Sequence, residues 1–206
     1  MNARRWTALM TACLLGIVMS LPVRAVTFVD TDTYGIQYMA TVTPVSGNTY
    51  SVSVTINTTG YSGTQNAWLD WFNLKISPKN PAGVTVSILP AGWTYAGSSA
   101  GKVEFQSATV GAPPDSTDVY IPVSGLRPVV TFSYHADLTG TILKTDDWPY
   151  QARYLFAKPK GGYNQTIVSR KLQPQGPPQG VIPEPATLIL FGMGLVAPLA
   201  ARRRKR

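Results

Sequence analysis

Through the middle of the chain apolar and polar side chains alternate, and this alternation limits the fold more than any other feature. Tyr50, Val52, Val54 and Ile56 share one face while Ser51, Ser53, Thr55 and Asn57 share the other, the period of two that marks a half-buried β-strand. Runs of the same kind span residues 36–43, 68–76, 84–89, 102–106, 119–123, 129–135, 151–157 and 166–172. Nothing in this region recurs at helical spacing. Gly and Pro punctuate the gaps, as in Asn80-Pro81-Ala82-Gly83, Gly111-Ala112-Pro113-Pro114 and Pro159-Lys160-Gly161-Gly162, where they favour turns over continued strand.

Eight or nine short strands with one apolar face each bury those faces most economically by stacking two sheets. The expectation is an all-β fold, an antiparallel β-sandwich of jelly-roll or Ig-like type over residues 26–172. About 150 residues are enough to bury a core without disulfides. The chain's one cysteine, Cys13, lies in the N-terminal apolar run, so a chain cut after that run has no thiol. Internal disulfides, Cys-based zinc sites, Fe–S clusters and a thiol nucleophile are thereby excluded from the mature form.

The formal charge of +8 suggests nucleic acid until it is divided by region. Arg4, Arg5 and Arg24 lie in the first 25 residues, Arg202, Arg203, Arg204, Lys205 and Arg206 end the chain, and between them ten basic residues balance ten acidic ones. A phosphate-binding surface needs clustered Lys and Arg on the folded part. The excess sits in the two tails instead, and no nucleic-acid partner is expected.

Residues 1–25 read as a signal peptide: Arg4 and Arg5, an apolar stretch from Trp6 to Leu21, then Pro22 and the small-residue ending Val23-Arg24-Ala25, with cleavage after Ala25. Met10-Thr11-Ala12-Cys13 offers a lipoprotein reading, but the apolar run continues past Cys13 where a lipid-anchored chain would turn polar. At the other end, residues 173–182 form a Gln, Pro and Gly linker, which when extended at about 3.1 Å per residue acts as a spacer. Pro183-Glu184-Pro185 follows, then sixteen apolar or small residues from Ala186 to Ala201 interrupted by Thr187, then the basic cluster. As a helix the run measures about 24 Å against a ~30 Å hydrocarbon core. Snorkelling arginines and the neighbouring Val181 and Ile182 extend its reach. Glu184 complements the positive end of the helix dipole and resists entering lipid. Five cations hold the far end in the cytoplasm, and the signal peptide independently demands that orientation.

Val181-Ile182-Pro183-Glu184-Pro185-Ala186-Thr187-Leu188, the apolar span and the terminal Arg cluster together resemble a PEP-CTERM sorting tail. Pro198, late in the span, departs from a smooth helix. The resemblance covers 183–206 and the two residues before it. It implies that a membrane-embedded exosortase recognises Pro183, Glu184 and Pro185 and cleaves near them. Ala186–Ala201 would then be a transient membrane anchor and Arg202, Arg203, Arg204, Lys205 and Arg206 the cytoplasmic stop. It also implies a Gram-negative source, a cell-surface or extracellular-matrix destination, and exopolysaccharide as a companion and candidate ligand. The catalytic thiol in such a system belongs to the partner.

Chemistry in the middle region is sparse. His135 is the sole histidine and alternates onto the polar face with Thr131 and Ser133. Asp30-Thr31-Asp32-Thr33-Tyr34-Gly35 begins like an EF-hand loop but has Tyr34 where an oxygen ligand belongs and no closing acid. Asp146 and Asp147 precede Trp148-Pro149 in a turn-like setting. Trp68, Trp71, Trp93, Trp148 and the acid Asp70 are the candidate glycan-binding set, since flat aromatic faces stack on sugar rings. No metal and no cofactor are expected. The reading is a non-catalytic exported module, with a glycan-binding module or a small glycan-active hydrolase as the alternative.

Overall fold

In a computed structural model the described residues are 25–137 and 148–175. The alternation becomes strands throughout: β1 (Val26–Thr31), β2 (Gln37–Ser46), β3 (Thr49–Asn57), β4 (Ala67–Lys75), β5 (Gly83–Ile88), β6 (Trp93–Ser99), β7 (Lys102–Ser107), β8 (Val119–Ile121), β9 (Val129–Asp137), β10 (Trp148–Ala157) and β11 (Tyr163–Pro174). In β3 the apolar residues Tyr50, Val52, Val54 and Ile56 are buried and the polar ones between them are half-exposed. Two strands had no counterpart in the sequence expectation, β1 and β6. Strand β11 also runs to Pro174, taking two residues from the predicted linker.

Every pairing is antiparallel, and the ladder follows the order β5-β9-β3-β2-β1-β11-β10-β4-β7-β6, with β8 on β4. The all-β antiparallel expectation therefore holds. Two separate stacked sheets do not: the ladder is continuous, and its halves are joined where β1 meets β11 through Phe28↔Pro174 and Val29↔Gln173. This single sheet curls until its halves face each other, nearly closing into a barrel. Rings from opposite halves meet in the interior: Tyr38 of β2 on Tyr150 of β10 (4.3 Å), and Phe132 of β9 against Phe72 of β4 (5.8 Å), Phe105 of β7 (5.1 Å) and Trp93 of β6 (5.1 Å). Burying each such side chain contributes about 1.5–3 kcal/mol, and curling one twisted sheet lets both halves bury the same face.

Strand direction gives the sheet two poles. Strand β1 starts at Val26 beside the end of β11, where the Gln175 N–H donates to Thr27 O at 2.8 Å. The described residues therefore begin and end at one pole. The opposite pole collects the β1–β2, β3–β4, β8–β9 and β10–β11 connections. There Arg127 donates to Pro122 O (3.2 Å), Val123 O (3.0 Å), Thr59 O (3.4 Å) and Tyr61 O, and its guanidinium lies over the Tyr61 ring. Gly35, at φ +80°, packs so close to Gly60 that a Cβ on it would collide with the Gly60 carbonyl. These contacts fix the tail-distal loops against each other.

Among the described residues no helix is long and apolar enough to cross a membrane. The signal peptide up to residue 24 and the predicted span 186–201 lie outside the described residues, as do Asp146 and Asp147.

Candidate functional site

The outer face of β8, β4, β10 and β11 carries Trp68, Trp71, Tyr120 and Tyr163 together with the Asp70–Arg153 ion pair. Strand β4 bulges there: Leu69 faces Tyr154 and Trp71 faces Arg153, leaving Asp70 as the extra residue. A bulge puts two neighbouring residues on one side of a sheet, and Asp70 accordingly joins Trp68 and Trp71 on the outer side. It is nevertheless fully buried. Its carboxylate accepts from Arg153 Nε at 2.9 Å and from the Gly111 N–H at 3.1 Å, so the β7–β8 loop covers it. Gln165 Nε2 donates to Gly111 O at 2.9 Å and fastens the loop from the other side. The loop also ties itself: Asp118 accepts from the Ser107 and Thr109 hydroxyls and from the Asp115 N–H. The Thr117 hydroxyl and N–H donate to Asp115 and hold its carboxyl below the ordinary 3.8.

The candidate tryptophans separate by depth. Trp148 is fully buried and stacks on Phe28 at 4.5 Å and 20°, and Trp93 is buried edge-on to Phe132. Both fill the core, so neither offers a face to a ligand, which corrects the sequence expectation for these two. Asp70 is likewise enclosed in an ion pair and not displayed on an aromatic platform. Trp71 stays half-buried on the outer face between Gln106 and Arg153. Trp68 stays half-buried too, and it has companions the sequence did not single out. Tyr120 of β8 lies opposite it with ring centroids 4.9 Å apart and a 33° tilt, while Tyr163 of β11 approaches edge-on at 5.4 Å and 88°. Tyr120 and Tyr163 are 42% and 39% exposed.

The EF-hand-like start is occupied by structural bonds. Asp30 pairs with Arg170 at 2.7 Å and accepts from the Tyr150 hydroxyl at 2.9 Å. Asp32 accepts the N–H groups of Tyr34 (2.8 Å) and Ile36 (3.0 Å) and the Tyr38 hydroxyl (3.4 Å), closing the β1–β2 turn. Burial pushes its carboxyl above the ordinary 3.8, with those N–H groups acting in the opposite sense. The Tyr38 and Tyr154 hydroxyls bond each other in the core, and burial holds both well above the ordinary 10.0. His135 sits on the outer face between Ser51 and Thr85.

The sorting tail is decided by comparison with known families. Residues 181–205 match the PEP-CTERM protein-sorting motif. The PEP-CTERM match contains Pro183, Glu184 and Pro185 and most of the basic cluster, all beyond the described residues. A PEP-CTERM motif implies processing by an exosortase, a membrane enzyme, and therefore an exported protein with a membrane-anchored precursor. No curated protein matches the chain.

Proposed function

We propose that this chain is a non-catalytic surface or extracellular-matrix protein whose curled β-sheet module interacts outside the cell after exosortase processing. The PEP-CTERM motif at 181–205 carries the reading. In this scheme the signal peptide is removed after Ala25, the segment Ala186–Ala201 spans the inner membrane, and Arg202 to Arg206 stay in the cytoplasm. Cleavage near Glu184 then frees the module. The non-catalytic reading is supported by the acids of the module: Asp30, Asp32, Asp70 and Asp118 are each engaged in bonds that hold strands or loops. Glycan binding is the second reading, favoured by the exposed rings around Trp68.

Intact mass of the protein recovered outside the cell, with and without the exosortase, tests the proposal. A mature species lacking both ends is expected. An exported form that still ends in Arg206 would overturn processing, and new reducing ends released from a polysaccharide would overturn the non-catalytic assignment.

A further inference from the structure

We infer that the corner formed by Trp68, Tyr120 and Tyr163 binds a chain of neutral pyranose sugars by ring stacking; this rests on the reading of the domain as an interaction module. Trp68 stands at the start of β4, Tyr163 at the start of β11 and Tyr120 in β8, next to the loops of the tail-distal pole. Arg127 locks the β3–β4 and β8–β9 loops together, so the rings need little ordering when a ligand arrives.

Chemistry and size select the ligand. Tyr120 and Tyr163 meet Trp68 at 33° and 88°, giving two ring surfaces at an angle, and the C–H face of a pyranose fits the electron-rich face of either. Two amides stand two residues along the chain from the rings, Asn66 before Trp68 and Gln165 after Tyr163. Asn66 accepts the Val123 N–H through Oδ1 at 2.9 Å, and Gln165 donates through Nε2 to Gly111 O; the remaining amide atoms suit sugar hydroxyls, which both donate and accept. Residues 26–182 carry nine acids and ten bases, a near balance without the cationic excess that an acidic polymer would call for. With about two fifths of each tyrosine open, the three rings offer on the order of 200–300 Å², below the ~800 Å² per partner of a stable protein interface. That area suits one or two sugar rings and not a second copy of the chain.

The test uses the processed protein recovered outside the cell. Dextran, galactomannan and xyloglucan serve as probes in affinity electrophoresis and tryptophan-fluorescence titration. Because Trp93 and Trp148 are buried, a ligand-induced emission shift reports Trp68 and Trp71. Trp68→Ala and the pair Tyr120→Ala/Tyr163→Ala should weaken binding of the retained probe about tenfold or more, with an unchanged far-UV spectrum. Val45→Ala, at the opposite pole, should leave it unchanged. Binding that survives the ring substitutions would overturn this site while keeping the module reading. Equal loss with Leu126→Ala would point to a broad protein-type surface and overturn the sugar assignment. Retention of none of the probes by the native protein would overturn it as well.

Discussion

Asp70 carries a fully buried carboxylate on the outside of a sheet, a placement that depends on two partners and a lid. Removing one member of a buried ion pair leaves the other charge uncompensated. Asp70→Ala is therefore expected to cost about 3–5 kcal/mol and Asp70→Asn less, measured by chemical denaturation. Simultaneous release of the β7–β8 loop should appear as new protease cleavage near Gly111. Asp32 makes a prediction of opposite sense. Its folded pKa lies above the unfolded 3.8 because burial disfavours the charge. Protonation is thus favoured by folding: that stabilisation is complete below 3.8 and is lost as pH rises through the folded value. Asn keeps the shape and an oxygen for the Tyr34 and Ile36 N–H groups but does not ionise. Asp32→Asn should gain stability relative to the parent as pH rises from about 4 to 7, read from denaturant midpoints at each pH.

Individual strands differ in how firmly they are held. The termini of the ladder, β5 and β6, each pair on one side and each contain a bulge, between Val86 and Ile88 and between Tyr95 and Gly97. Bulged edges resist pairing with a second copy. The weak point inside the sheet is the β1–β11 join, whose register covers two residue pairs. What secures it is packing: Phe28 of β1 stacks on Trp148, which itself pairs with Leu172 of β11. Phe28→Ala should cost about 3–5 kcal/mol. In native-state hydrogen exchange the loss should concentrate at the β1 amides and Gln175, ahead of β3 and β10; uniform loss across all strands would contradict this weak-seam account.

At the scale of the whole molecule, the sorting motif and the folded module occupy different parts of the chain. Glu184→Ala is expected to leave the module folded yet hold the protein in the inner membrane, as seen by fractionation and circular dichroism of the retained form; unchanged export would count against recognition of Glu184. The sorting motif was legible in the sequence because it is local: Pro183-Glu184-Pro185, the apolar residues after it and a basic end need no tertiary neighbours to be recognised. The strand class was legible for the same reason, since period two is a property of consecutive residues. Strand β1 escaped because Val29 breaks the alternation of Val26 and Phe28 and the strand runs into the Asp30–Asp32 turn, and β6 because Ala96, Gly97 and Ser98 carry no apolar alternation. Which tryptophan faces the core was not legible. In β4 apolar residues lie on both faces and the bulge at Asp70 breaks the alternation, so the sequence alone leaves Trp68, Trp93 and Trp148 equivalent. The chain by itself determined that it makes antiparallel strands and carries a sorting tail. Only the tertiary structure decided that one curled sheet buries Trp93 and Trp148, covers Asp70 with a loop and brings Tyr120 and Tyr163 to Trp68, because those neighbours come from strands far apart in sequence and meet only when the ladder order is set.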